Sequence, residues 1–144
     1  MTLPPPHPGL VIHYAFLWSH EAAAGLQEGR KDRPCAVVVA TQPDPAGDLL
    51  VIVAPVTHSP PSDPKTAMAL PPDVKRRLGL DQRPSWVRLD NLNRFAWPGY
   101  DIRPIPDRPG EFAYGRLPHG LWRRIREGIL HLNDRGGPVR ITPR

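Results

Sequence analysis

Three polar clusters stand at the ends of apolar runs, and together they hold the side chains needed to grip a phosphodiester. Lys31-Asp32-Arg33-Pro34 opens one run, Pro55-Val56-Thr57-His58 closes the next, and Arg88-Leu89-Asp90-Asn91 closes a third. Guanidinium groups bind phosphate oxygens bidentately and stay charged at every working pH, so Arg33 and Arg88 are candidate phosphate clamps. Thr57 can give a hydroxyl hydrogen bond to a phosphate oxygen, or cap the turn after Pro55. Asp90 is two residues beyond Arg88 and so shares its face in a strand, where it either orients the guanidinium or accepts a proton. His58 and His20 carry imidazoles suited to proton transfer near neutrality, or are solvated loop residues. Lys31, Asn91 and the loop residue Trp97 complete the set, the last as a ring for stacking on an unpaired base. No histidine pair has metal-ligand spacing with a third ligand nearby, so neither a metal nor another cofactor is expected.

These clusters can meet only if short strands converge. Proline, present 21 times, forbids long helices and central strands and leaves brief segments between turns. Residues 9–18 read as a strand and 19–32 as a long loop with a helical turn. Cys35-Ala-Val-Val-Val-Ala40 and Leu49 to Pro55 read as a hairpin around the turn at 42–47. Thr66 to Leu70 suits an edge strand. Pro71 to Leu78, with proline at the start and Gly79 at the stop, suits a short helix. Trp86 to Leu89 gives another strand, and Asn93 to Arg108 reads as irregular with a short strand near 100–103. Leu121, Ile125, Ile129 and Leu132 recur at helical spacing, predicting a terminal amphipathic helix over 118–133. Five or so strands and a closing helix describe a mainly β domain, a small SH3-like barrel over 1–144, with residues 1–8 and 136–144 flexible.

Composition narrows the partners. A chain of 144 residues suits one domain, and no apolar stretch reaches the roughly 20 residues of a membrane helix. With no leader pattern and a single cysteine, Cys35, a cytoplasmic location is expected. Net charge is +5, which favours an acidic partner such as nucleic acid. From Arg116 onward seven arginines face only Glu127 and Asp134, so the tail supplies all of that excess and the three clusters must provide their own local attraction.

The order of these features resembles the MazF/PemK toxins of type II toxin–antitoxin systems. The resemblance lies in Arg33-Pro34 before an apolar strand, Pro55-Val56-Thr57 after the next, and Val87-Arg88-Leu89-Asp90-Asn91, whose Arg-x-Asp pair is similar to that of the Kid branch. His20-Glu21 resembles a His-Glu pair in the equivalent loop of some relatives. The resemblance implies a dimeric barrel of the PemK/CcdB kind acting as a metal-independent endoribonuclease on single-stranded RNA, with a cognate antitoxin covering the RNA groove. RNA can be cut in this way because its 2′-hydroxyl is the nucleophile, and the protein supplies only proton transfer and charge stabilisation. A non-catalytic toxin similar to the gyrase poisons, or an inactive RNA-binding barrel, would carry the same fold.

Overall fold

The computed structural model describes residues 3–27, 29, 31–136 and 139–144, and the chain is mainly β with a C-terminal helix. Strand β3 (Leu50–Thr57) is its hub. Along one edge lies the antiparallel β2 (Asp32–Ala40), with Cys35 opposite Pro55 and Val37 opposite Val53. The other edge is divided: Leu50–Val53 pair with β6 (Asn91–Ala96), and Val56 and Thr57 pair with β5 (Trp86–Arg88). Ala54 and Pro55 fall between the two partners, where a residue lacking an N–H removes no ladder bond from that edge. Beyond these, β1 (Leu10–Ala15) adds to β2, β7 (Ala113–Arg116) to β1, and β4 (Ala67–Ala69) to β5. β8 (Arg140–Pro143) runs parallel to β6. The sheet does not close on itself: β4 and β7 end its main path.

The expected hairpin is present, and both of its strands are longer than their apolar runs. β1 draws Asp32, Arg33 and Pro34 into the ladder, and β5 draws in Val56 and Thr57, so Arg33 and Thr57 lie within strands. The region 93–108 is not irregular throughout, because pairing with β3 and burial of Leu92 and Phe95 override the low strand preference of Asn91 and Asn93. The strand expected near 100–103 reduces to one bridge between Tyr14 and Ile102. The short helices are α1 (Ser19–Ala23) and α2 (Pro72–Leu78), the latter ending at Gly79 with φ 72°, a left-handed conformation that glycine adopts without strain. α3 (His119–Asp134) is the amphipathic helix, its buried stripe Leu121, Ile125, Ile129 and Leu132.

Strand periodicity divides the apolar residues between two clusters. Ala36 and Val38 of β2 face Val74 and Leu78 of α2 and the stripe of α3, whereas Cys35 and Val37 face Ile12, Tyr14, Phe16, Val51 and Phe95. Burial on both faces explains the unbroken apolar run of β2. Cys35 is fully buried, and burial pushes its thiol pKa up. In β1, His13 is 7% exposed and its Nδ1 shares a hydrogen bond of 2.8 Å with the Tyr114 hydroxyl. Burial lowers the His13 pKa, with Asp32 opposing, and burial raises Tyr114 to about 12. A folded-state value below the ordinary ~6.5 means that the unfolded chain binds the proton more readily, so this stabilisation is full above that value and is lost as pH falls. The melting temperature should therefore drop between pH 7.5 and pH 5, and His13→Gln should flatten part of that drop in a pH series of thermal melts.

After β8, Arg144 is held through its charge. The Arg144 guanidinium donates to Ala15 O at 2.7 Å, Asn93 Oδ1 at 3.2 Å and Gln27 O at 3.2 Å, and pairs with Asp101 at 3.0 Å. It also lies 5.7 Å over the Tyr14 ring, with its side chain only 4% exposed. A buried cation demands such partners, and no hydrophobic pattern announces them. Met1, Thr2, Gly137 and Pro138, included in the flexible ends expected from sequence, lie outside the described residues. Arg144→Ala leaves Asp101 without its cation and should lower stability by about 3 kcal/mol, read from urea denaturation.

Candidate functional site

Continuing the β2–β3 register by two residues sets Arg33 opposite Thr57, so the two share a face although they are far apart in sequence. Arg33 is held loosely. Its NH1 reaches Val56 O at 3.5 Å, its Nε is buried with no hydrogen-bond partner among the described residues, and the guanidinium lies 5.1 Å over the Trp18 ring. Burial lowers its pKa, while Cys35 and Glu21 work in the opposite direction, and an arginine remains a cation regardless. Thr57 Oγ accepts from Ser59 N at 3.2 Å, an arrangement that leaves its own proton free to be given. Arg88 is gripped tightly: Nε and NH2 reach the two oxygens of Asp90 at 3.0 and 2.8 Å, in a pair with side chains 23% and 15% exposed. This is the shared strand-end face expected of residues two apart.

The facing wall is hung from β6 by two asparagines. Asn93 takes Leu17 N on Oδ1 at 2.9 Å and gives Nδ2 to Leu17 O at 2.7 Å; Asn91 takes Ser19 N at 3.0 Å and gives to Ser19 Oγ at 3.0 Å. Side-chain amides thus do for residues 17–19 what a neighbouring strand would do, in the only way open to a segment with no strand beside it. Trp18 N is taken by Glu21 Oε1 at 3.0 Å, which starts α1. The outcome is a row of rings and charge, His20 stacked on Trp18 at 6.4 Å and Trp18 beneath Arg33. Gly29 completes the wall, since a Cβ there would fall 1.9 Å from Phe16 O.

Two hollows meet at Arg33 and Thr57. One, of about 360 Å³, is lined by Trp18, His20, Arg33, Thr57, Ser59, Arg88 and Asn91. The other, of about 300 Å³, has Lys31, Arg33, Thr57 and His58 along one side and Asp81, Ser85, Arg108 and Tyr114 along the other. His58 Nε2 is 3.0 Å from Asp81 Oδ1. Burial alone would raise the Asp81 pKa, but hydrogen bonds from His58 and from Arg83 N outweigh it and hold the carboxyl below its usual value. Among the described residues, no three His, Cys, Asp or Glu side chains are grouped to hold a metal ion.

Of the side chains singled out from sequence, Arg33, Thr57, Arg88, His20 and Asn91 line one hollow, Lys31 and His58 line its neighbour, and Asp90 braces Arg88. Trp97 is not among them. It stacks on Phe95 at 6.1 Å and packs on the Tyr14 cluster, at the opposite end of β6 from Asn91. Sequence reasoning missed Trp18, which reads there as one more aromatic of the first strand, and Asp81, which has no motif around it. Asn93 had a signal: asparagine, leucine and asparagine in succession place two amides on one face of a strand.

A sequence comparison identifies the lineage. Residues 18–96 match the family model of the PemK-like, MazF-like toxins of type II toxin–antitoxin systems, more than half of the chain, and the protein belongs to that family. The matched span begins at Trp18 and ends with β6, so it contains both arginines, Thr57 and both asparagines. Membership of a family of toxin–antitoxin toxins implies an antitoxin partner. No curated protein and no solved structure matches the chain significantly. Among the described residues, no helix is long and apolar enough to cross a membrane. If Asn91 holds the Trp18–His20 wall, Asn91→Ala should speed limited proteolysis between residues 19 and 31 at least severalfold while the rest of the chain stays protected, as mapped by mass spectrometry.

Proposed function

We propose that this toxin is a metal-independent endoribonuclease that cuts single-stranded RNA in the cytoplasm through attack of the 2′-hydroxyl on the adjacent phosphate. The observation that carries the reading is the single hollow that collects Arg33, Thr57, Arg88, His20 and Asn91 from four separate segments. In it, Arg33 and Arg88 take phosphate oxygens and stabilise the charge that grows on them, while Thr57 gives one further hydrogen bond. Arg33, with a buried Nε lacking a partner among the described residues, is the group with most to gain from an anion. Both oxygens of Asp90 are committed to Arg88, so Asp90 acts as a positioning residue.

Attack in line with the leaving oxygen requires one group to take a proton and another to give one, on opposite sides of phosphorus. His20, in the first hollow, and His58, set by Asp81 in the second, flank the shared Arg33–Thr57 wall and are assigned these two roles. Lys31, exposed at the rim, adds attraction, and Asn91 binds through the wall it holds. The bent sheet, with β3 split between two partners, supports an SH3-like barrel left open at its ends. Pairing with a second copy is part of the reading and is supported by exposed Val39, Leu130 and Ile141 around one apolar hollow.

Incubation with mixed-sequence RNA in EDTA should yield fragments ending in 2′,3′-cyclic phosphate and beginning with 5′-hydroxyl. A 2′-deoxy substitution at the cut nucleotide should abolish cleavage, and Arg33→Ala should slow it about 100-fold. Intact RNA, or cleavage indifferent to Arg33→Ala, overturns the assignment.

A further inference from the structure

The second hollow contains more than phosphate chemistry requires. Apart from Lys31, Arg33, Thr57 and His58, its lining sets the carboxylates of Asp32 and Asp81 against apolar Val56, Leu80, Ile105 and Pro106 beside the Tyr114 ring. The Arg108 guanidinium lies 5.6 Å over that ring, a cation set on an aromatic. At the other side sits Ser85, 5% exposed, with a buried hydroxyl that has no hydrogen-bond partner among the described residues.

We infer that this hollow seats one unpaired RNA base next to the cut, and that Ser85 and Arg108 make the seat selective. The inference rests on the nuclease reading and deepens it. Proteins that read single strands stack splayed bases on aromatic or arginine planes and bond their edges, and a hollow with an arginine over an aromatic ring and polar groups beside apolar ones suits that ligand. A volume of about 300 Å³ is at the small end for binding sites, room for a base and not for a folded segment of protein. The buried Ser85 hydroxyl is expensive while unpaired, and a base edge would satisfy it. Because Arg33 and Thr57 belong to both hollows, a base held here keeps its own phosphate at the proposed cleavage point.

The seat is built, not incidental. Buried Lys75 gives Nζ to Arg83 O at 2.7 Å, and Arg83 N bonds Asp81 Oδ1 at 3.0 Å, fixing the turn that leads to Ser85. Gly79 admits Arg108, since a Cβ there would lie 1.8 Å from the guanidinium NH2. Ile105, Pro106, Arg108 and Tyr114 all lie beyond the 18–96 family match, so this wall belongs to the part of the chain that the family model does not describe.

Sequencing of cut ends from randomised RNA tests the inference with wild-type protein, Ser85→Ala and Arg108→Ala. Wild type should prefer one base at a position next to the cut, and in each variant that base should lose roughly tenfold of its advantage while preferences at other positions persist. In parallel, RNAs made uncleavable by 2′-deoxy substitution and carrying each of the four bases at that position should be distinguished by wild type, and not by the variants, in fluorescence anisotropy. Cleavage with unchanged base preference in both variants overturns the base seat and leaves the nuclease intact. Base-selective binding without cleavage overturns the nuclease and upholds the seat. Binding that ignores the base, or no binding, overturns the seat, and an antitoxin peptide competing only at the second hollow would assign it to protein instead.

Discussion

Strand β3 must satisfy backbone groups on both of its edges, and it does so with three partners. β2 covers one edge; β6 and β5 divide the other on either side of Ala54 and Pro55. The division pairs Thr57, the end of β3, with Trp86 at the start of β5, and Arg88, two residues on, shares that face. β2 then sets Arg33 across from Thr57. Two cations and a hydroxyl that are distant in sequence become neighbours because one strand has to be paired along its whole length.

The opposite wall depends on a different device. Residues 17–19 leave β1 without a strand beside them, and Asn93 and Asn91 bond their backbone groups. Asn93 Oδ1 also takes a bond from Arg144, which in addition reaches Ala15 and Gln27, so one guanidinium ties both ends of the segment that carries Trp18 and His20. The ends of the chain's core thereby support the family's matched region. This wall is held by polar bonds from buried Asn93 and half-buried Asn91, so its geometry depends on pairings that a single substitution removes.

The two hollows differ in the source of their walls. The one with Arg88 and His20 is lined wholly from within the family match, whereas the one with Ser85 and Tyr114 draws one wall from outside it. On the proposed reading, the reaction takes place in the first and base discrimination in the second. Loops placed on a fixed scaffold vary without disturbing it, which is how small β proteins acquire new specificity.

Much of this was legible in the residues themselves. The apolar runs of β2 and β3, the stripe of α3, the Pro72 and Gly79 signals of α2 and the Arg88–Asp90 pair all follow from local periodicity and side-chain direction, physics that acts within a few residues. Strand β6, the contacts of Arg144 and the displacement of Trp97 onto Phe95 were not legible, because each is decided by a partner distant in sequence: β3 for Asn91–Ala96, Asp101 and Ala15 for Arg144, and the Tyr14 cluster for Trp97. By itself the sequence determined which side chains were available for phosphate chemistry and that short strands would carry them. Only the tertiary structure decided which of them share a hollow, since that depends on strand register and on buried hydrogen bonds between segments that no local pattern connects.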